Sequence, residues 1–157
     1  MKRIGFMRSL TVCLALALLP VGAQAQEAAR IEPLSIVTDN SATLFAAEIA
    51  DSPELRDRGL MFRHMLPADR AMLFDFDIPR PAAMWMKNTY ISLDMLFVRA
   101  DGTIAAIAEN TEPLSTQTIS VDEPVLGVVE LAAGTVKRLG IKRDDKVYHQ
   151  VFKTENQ

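Results

Sequence analysis

The chain reads as an α+β protein. It is a strand-rich single domain whose sheet is a partly closed, β-barrel-like one, with two short helices. Three observations predict this. Short apolar segments recur along the chain, each bounded by turn residues. Only two stretches carry helix-start and helix-stop chemistry. The segments number about eight, with no repeat and no linker among them.

The elements follow in order. "LSIVT" and "ATLFAAEIA" read as strands joined by the turn residues Asp39-Asn40-Ser41. In the second strand, Phe45 and Ile49 mark the inner face. "DSPELRDRGLMF" is the clearest helix start. Ser52 can cap it, Pro53 suits the first helical position, and Glu54 sits where the macrodipole favours an acid. Leu55, Gly59 and Phe62 share one face at helical spacing, with Gly59 either ending the helix or allowing close packing. "HMLPADR" is a loop. "AMLFDFD" is a strand that Pro79 and Pro81 break, and "AAMWMK" and "LDMLFVR" are strands around an Asn88-Thr89 turn. Asp101-Gly102 is a tight-turn dipeptide that pairs "MLFVRA" with "TIAAIAE". Asn110 to Glu123 is a long polar loop holding at most a short strand near "TISV". "PVLGVVEL" is a strand, and "AAGTVKRLG" is a short helix with Lys137 and Arg138 in its last turn and Gly140 past its end. "DKVYHQVF" is the last strand, with His149 on its surface.

The first residues stand apart. "MKRIGFMRSLTVCLALALLPVGAQAQ" has the basic, apolar, small-x-small order of a secretory signal peptide, and its apolar run is too short for a membrane span. The expected organisation is a signal peptide at 1–25, a flexible lead at 26–33 and one globular domain at 34–153. Cleavage after Ala25 removes Lys2, Arg3 and Arg8 but no acid, which moves the formal charge from −3 to −6. It also removes Cys13, the only cysteine. The expected mature protein is periplasmic or secreted, with no disulfide, no thiolate metal site, no cysteine nucleophile and no stable membrane insertion. Its acidic balance, without basic runs, argues against nucleic acid as a partner.

Three pieces carry a resemblance: "RGLMFR" (Arg58 to Arg63), "WMKNTYISLDMLFV" (Trp85 to Val98) with Asp101-Gly102, and "VVELAAGTVKRLGIKRDDKV" (Val128 to Val147). In this order the chain resembles the domain of unknown function 192 family, small prokaryotic proteins that are often exported. The resemblance spans about Phe45 to Val147. It implies a compact, barrel-like, strand-rich fold with two short helices, and it implies no reaction. The segment Glu109 to Glu123 departs from the proline- and often cysteine-bearing loop common in the family, so no role of that loop carries over.

The candidate chemistry gathers around "MWMKNTYISLD". Asp94 alternates with Leu96 and Val98 and so points to the side they face. A carboxylate on an apolar face needs a partner, or its pKa rises. Arg58, Arg63, Lys87, Asn88 and Asp94 could form a polar cleft for a small anionic or zwitterionic ligand, with Glu130 contributing from a later strand. The competing reading makes Lys87 and Asp94 a structural ion pair and Asn88 a turn residue; strand register decides between them. A hydrolase using His64 or His149 with Asp94, and Ser92 or Thr89 as nucleophile, has no spacing signature behind it. Met84-x-Met86 with His64 could hold Cu(I), whereas methionines within apolar strands are ordinary core fillers. Trp85 reads as core and Tyr90 as exposed. The expectation is therefore a non-catalytic small-ligand-binding or accessory module, with no metal and no cofactor. A hydrolase using Asp94 and His64 is the alternative, and methionine-based copper binding a lesser one.

Overall fold

The turn residues at 39–41 place two strands side by side. Strands β1 (Arg30–Val37) and β2 (Ala42–Ala50) form an antiparallel hairpin in which Leu34 faces Phe45. The computed structural model describes residues 29–153, so the signal-like segment lies outside the described residues. Strand β1 already begins at Arg30, and residues 30–33, read from sequence as a loose lead, pair with 46–49 of β2.

Helix α1 (Pro53–Arg58) starts as its residues dictate. The Ser52 hydroxyl accepts the Leu55 N–H, and Pro53 occupies the first turn. It is shorter than its apolar spacing suggested. Gly59, at φ 46°, ends it, and the Gly59 N–H closes on the Leu55 carbonyl. Phe62 therefore lies past the helix and is exposed. An irregular crossover then leads to β3 (Arg70–Met84), which runs parallel to β2.

Strand β3 corrects the sequence reading. Pro79 and Pro81 do not break it. They sit where the pairing with β6 (Ile119–Ala132) slips register, between Asp75 and Ala82, and their neighbour Ile78 is exposed. A bulge tolerates the missing N–H groups. On the facing strand, "TISV" and "PVLGVVEL" are likewise one strand across the exposed Pro124. Beyond the bulge, Ala82–Met84 and Ile119–Val121 continue as a two-stranded arm. Gly127 marks the closest approach of the two strands. A Cβ there would lie 2.5 Å from the Phe74 carbonyl oxygen.

Strands β4 (Leu93–Val98) and β5 (Ile104–Ala108) are joined by the expected Asp101-Gly102 turn, and the Asp101 carboxylate accepts the Thr103 N–H. Helix α2 (Thr135–Leu139) ends on Gly140 at φ 67°. Strand β7 (Lys146–Tyr148) is only three residues long and pairs with β1. The seven strands lie in the order β5-β4-β6-β3-β2-β1-β7. Thr103 bridges Lys146, and the Ile104 N–H donates to the Asp145 carbonyl, so the sheet nearly closes into a barrel. His149 is buried rather than on a strand surface. Its Nε2 lies 3.0 Å from Glu32 Oε2, and its Nδ1 accepts the Val151 N–H. No helix among the described residues is long and apolar enough to cross a membrane.

Alternation along the strands makes two cores. Leu34, Phe45, Leu73, Leu96, Ile104, Val129 and Val147 point into the barrel. The opposite face of β3, β4 and β6 carries Met72, Phe74, Met95, Phe97 and Val128, packed beneath Leu60, Leu66 and Met86. The central strands are therefore apolar on both faces, and all six residues of β4 are buried. That outer core, roofed by irregular chain instead of a sheet, is where the candidate site lies.

Candidate functional site

Where the arm leaves the barrel, a groove opens between α1 and the segment 84–88. Its volume is about 580 Å³. Phe74, Phe76, Met84 and Trp85 form its apolar wall, and Arg56, Arg80 and Lys87 supply positive charge against one acid, Asp57. The cations are differently employed. Arg56 Nη1 donates to the carbonyls of Asp75, at 2.6 Å, and Asp51, at 3.0 Å, which fixes the helix against the strand. Arg80 lies 4.4 Å from the centroid of Phe76, and Lys87 Nζ 5.3 Å from that of Trp85. Arg80 and Lys87 have no carboxylate partner among the described residues. The two cations rest on aromatic faces with their charge uncommitted.

A deeper recess of about 30 Å³ shares Arg56, Asp57, Met61, Phe74, Met84 and Trp85 with the groove and reaches down to Thr89 and Glu130. Glu130 is 4% exposed. In register it sits between Met72 of β3 and Met95 of β4, on the outer core. Its Oε2 is buried with no hydrogen-bond partner among the described residues. Burial pushes its carboxyl up to about 8, against the lowering effect of the Arg63 charge.

The residues singled out from the sequence do not form one cluster. Lys87 and Asn88 line the groove and Arg58 lines the recess. Asn88 also holds the turn: at φ 58° its carbonyl accepts the Phe62 N–H, and its amide lies 3.8 Å from Met61 Sδ. Arg63 is spent on a bidentate pair with Glu48, at 2.5 and 2.6 Å. That pair holds the Glu48 carboxyl below its usual range. Asp94 is elsewhere. It points, as read, to the Leu96 and Val98 side, the barrel interior, and is 0% exposed. Its oxygens accept the Asn110 N–H at 2.9 Å and the Val136 N–H at 2.8 Å, which ties β4 to α2. Asp94 belongs neither to a cleft nor to an ion pair with Lys87.

Residues 35–149 match the model of the DUF192 family, described as "Uncharacterized ACR". The chain belongs to this family. Two solved structures agree with it. One, from Sinorhizobium meliloti 1021, is described as "a putative transcription regulator". It is 43% identical, covers 82% of this chain and 100% of its own, and superposes with a TM-score of 0.79. The other is a protein of unknown function from Novosphingobium aromaticivorans DSM 12444. It is 34% identical, covers 85% of this chain and 91% of its own, and has a TM-score of 0.75. No curated protein matches the chain.

In this DUF192 protein the "WMKNT" signature is thus half groove wall and half turn. Trp85, read as core, is 51% exposed, just past the end of β3 at Met84. Met84 lines the groove, while Met86 is buried with the Thr111 hydroxyl against its sulfur, so the two thioethers do not share an open face. His64 is exposed and packs on Tyr90, 5.2 Å between ring centroids, away from the enclosed Asp94. Arg56 and Arg80 escaped the sequence reading. Only the pair of prolines, which marks the bulge that presents Arg80, could have signalled one of them.

Proposed function

We propose that this protein is a non-catalytic binding module whose groove takes a small amphipathic ligand bearing an anionic group. One observation carries the reading. An open groove pairs an apolar, tryptophan-containing wall with cations, Arg80 and Lys87, that no carboxylate among the described residues neutralises. Such a surface favours an apolar body with a negative head. A hydrolase built on Asp94 and His64 has less behind it, because the two are not presented together and Asp94 is bonded to backbone amides on both oxygens. The regulator description of the S. meliloti relative would suggest DNA. Here the helices, of six and five residues, are far apart in the chain and form no helix-turn-helix among the described residues.

Trp85 is the only tryptophan in the chain, so its emission reports the groove directly. Titration with 4-phenylbutyrate should shift and saturate that emission, and the uncharged 4-phenylbutyramide should bind at least tenfold more weakly. Equal response to acid and amide, or no response to either, contradicts the reading. A location outside the cytoplasm is part of the proposal and rests on residues 1–25. Cell fractionation checks it: the processed chain is expected in the periplasm or medium, and an unprocessed cytoplasmic chain is the contrary result.

A further inference from the structure

We infer that the recess below the groove is a proton-gated subsite, in which the Glu130 carboxyl, in its neutral form, donates its O–H to one oxygen of the ligand's anionic head. The inference rests on the binding reading above and names the residue that selects the head group.

The argument is geometric first. Buried carboxyls in folded proteins are partnered, and an orphan one needs an explanation. Asp94, on the neighbouring strand, is fully satisfied by two amides. Glu130 has no hydrogen bond from any described residue to its buried Oε2, yet it lines a recess that shares six lining residues with the groove. At about 30 Å³ the recess holds roughly one oxygen-sized group, the volume of a single water. The groove above is large enough for the rest of the ligand.

The surroundings decide the protonation state the subsite uses. Met72 and Phe74 of β3, and Met95 of β4, present no charge to Glu130. Helix α1 presents Arg56, Asp57 and Arg58 along the recess; Arg63, from the loop after it, is already paired with Glu48 of β2. The segment 85–89 brings Trp85 and Thr89, and Lys87 stands in the groove above. Burial without a donor favours the neutral acid, which stays protonated to about pH 8. A neutral carboxyl can donate to an anionic oxygen, whereas an ionised one would repel it. An anion in the recess raises the Glu130 pKa further, so above pH 8 the protein must take up a proton as it binds.

The test follows 4-phenylbutyrate binding by Trp85 emission from pH 6.5 to 9.5. Wild-type affinity should be level below pH 8 and then fall by up to about tenfold per pH unit. Glu130→Gln keeps a donor but cannot ionise, so its affinity should be the same at pH 6.5 and pH 9.5. Calorimetry on the wild type at pH 8.5, in two buffers of different ionisation enthalpy, should show proton uptake with the probe and needs no variant. Affinity that does not change with pH, or a pH dependence that survives Glu130→Gln, overturns the subsite but leaves the binding reading standing. No probe binding in the wild type at any pH removes both.

Discussion

Two buried acids stand one strand apart and do opposite things. Asp94 of β4 faces into the barrel and Glu130 of β6 faces the outer core. Asp94 accepts two backbone N–H groups and so joins the Asn110 loop to α2. Glu130 accepts none at Oε2 from the described residues and lines a recess that adjoins the groove. Equal burial therefore does not mean equal role. An acid whose oxygens are all used is part of the scaffold. One left without donors destabilises the fold, and the proposed binding site would account for its presence.

The sharpest way to break this contrast is to remove Asp94. Asp94→Ala leaves the Asn110 and Val136 amides buried without an acceptor. The expected loss is about 2–6 kcal/mol, read as a fall in the urea midpoint. A loss below about 1 kcal/mol would place Asp94 outside the scaffold.

Glu130→Gln should act in the opposite direction, and with pH. The native carboxyl is raised to about 8 from the ordinary 4.5. Below pH 4.5 both folded and unfolded chains hold the proton. As pH rises from there the unfolded chain ionises first, so wild-type stability falls until the folded acid also ionises near pH 8. The variant escapes this. Its stability relative to wild type should grow by about 3 kcal/mol between pH 4.5 and pH 7, measured by thermal or urea unfolding at each pH. A difference that does not change with pH would mean that Glu130 is partnered after all.

Lys87, in the groove, should show the mirror image of Asp94, changing binding and leaving stability alone. Lys87→Ala should weaken 4-phenylbutyrate by about tenfold, the worth of one charge-assisted contact, with the unfolding midpoint within about 0.5 kcal/mol of wild type. A large loss of stability would make Lys87 structural.

The smallest effect is expected at Arg63. Its pair with Glu48 is partly exposed, at 37% and 21% for the two side chains, so Arg63→Ala should cost about 1 kcal/mol. Because Arg63 holds the Glu48 carboxyl low, that contribution is present above the ordinary glutamate range. It should fade as pH falls through the depressed Glu48 pKa. Equal cost of the substitution at pH 7 and pH 3 would dismiss the pair.

What the sequence made legible was local chemistry. The Ser52 cap, the 39–41 turn, the Asp101-Gly102 turn and the Gly140 stop are settled by residues within a few positions of one another, and each formed as read. The barrel-like sheet followed from the recurrence of such pieces. The prolines misled, because Pro79, Pro81 and Pro124 sit at the exposed, slipped stretch of a strand pair, and nothing local says that the strands resume beyond it. The site was legible only in part. Lys87 and Asn88, singled out because polar residues interrupt an apolar run, line the groove. Trp85 was misplaced, since an apolar side chain's exposure depends on what the rest of the chain lays over it. The different fates of Asp94 and Glu130 depend on which backbone amides reach each one, and strand register and α2 docking set that.

The most direct test of the contrast is a carboxyl-carbon NMR titration of protein labelled at glutamate side chains, with Glu130→Gln used to assign the resonance. The Glu130 signal should titrate near pH 8 and move higher when 4-phenylbutyrate is added. A Glu130 midpoint in the ordinary range of about 4–5, unmoved by the probe, would contradict the account.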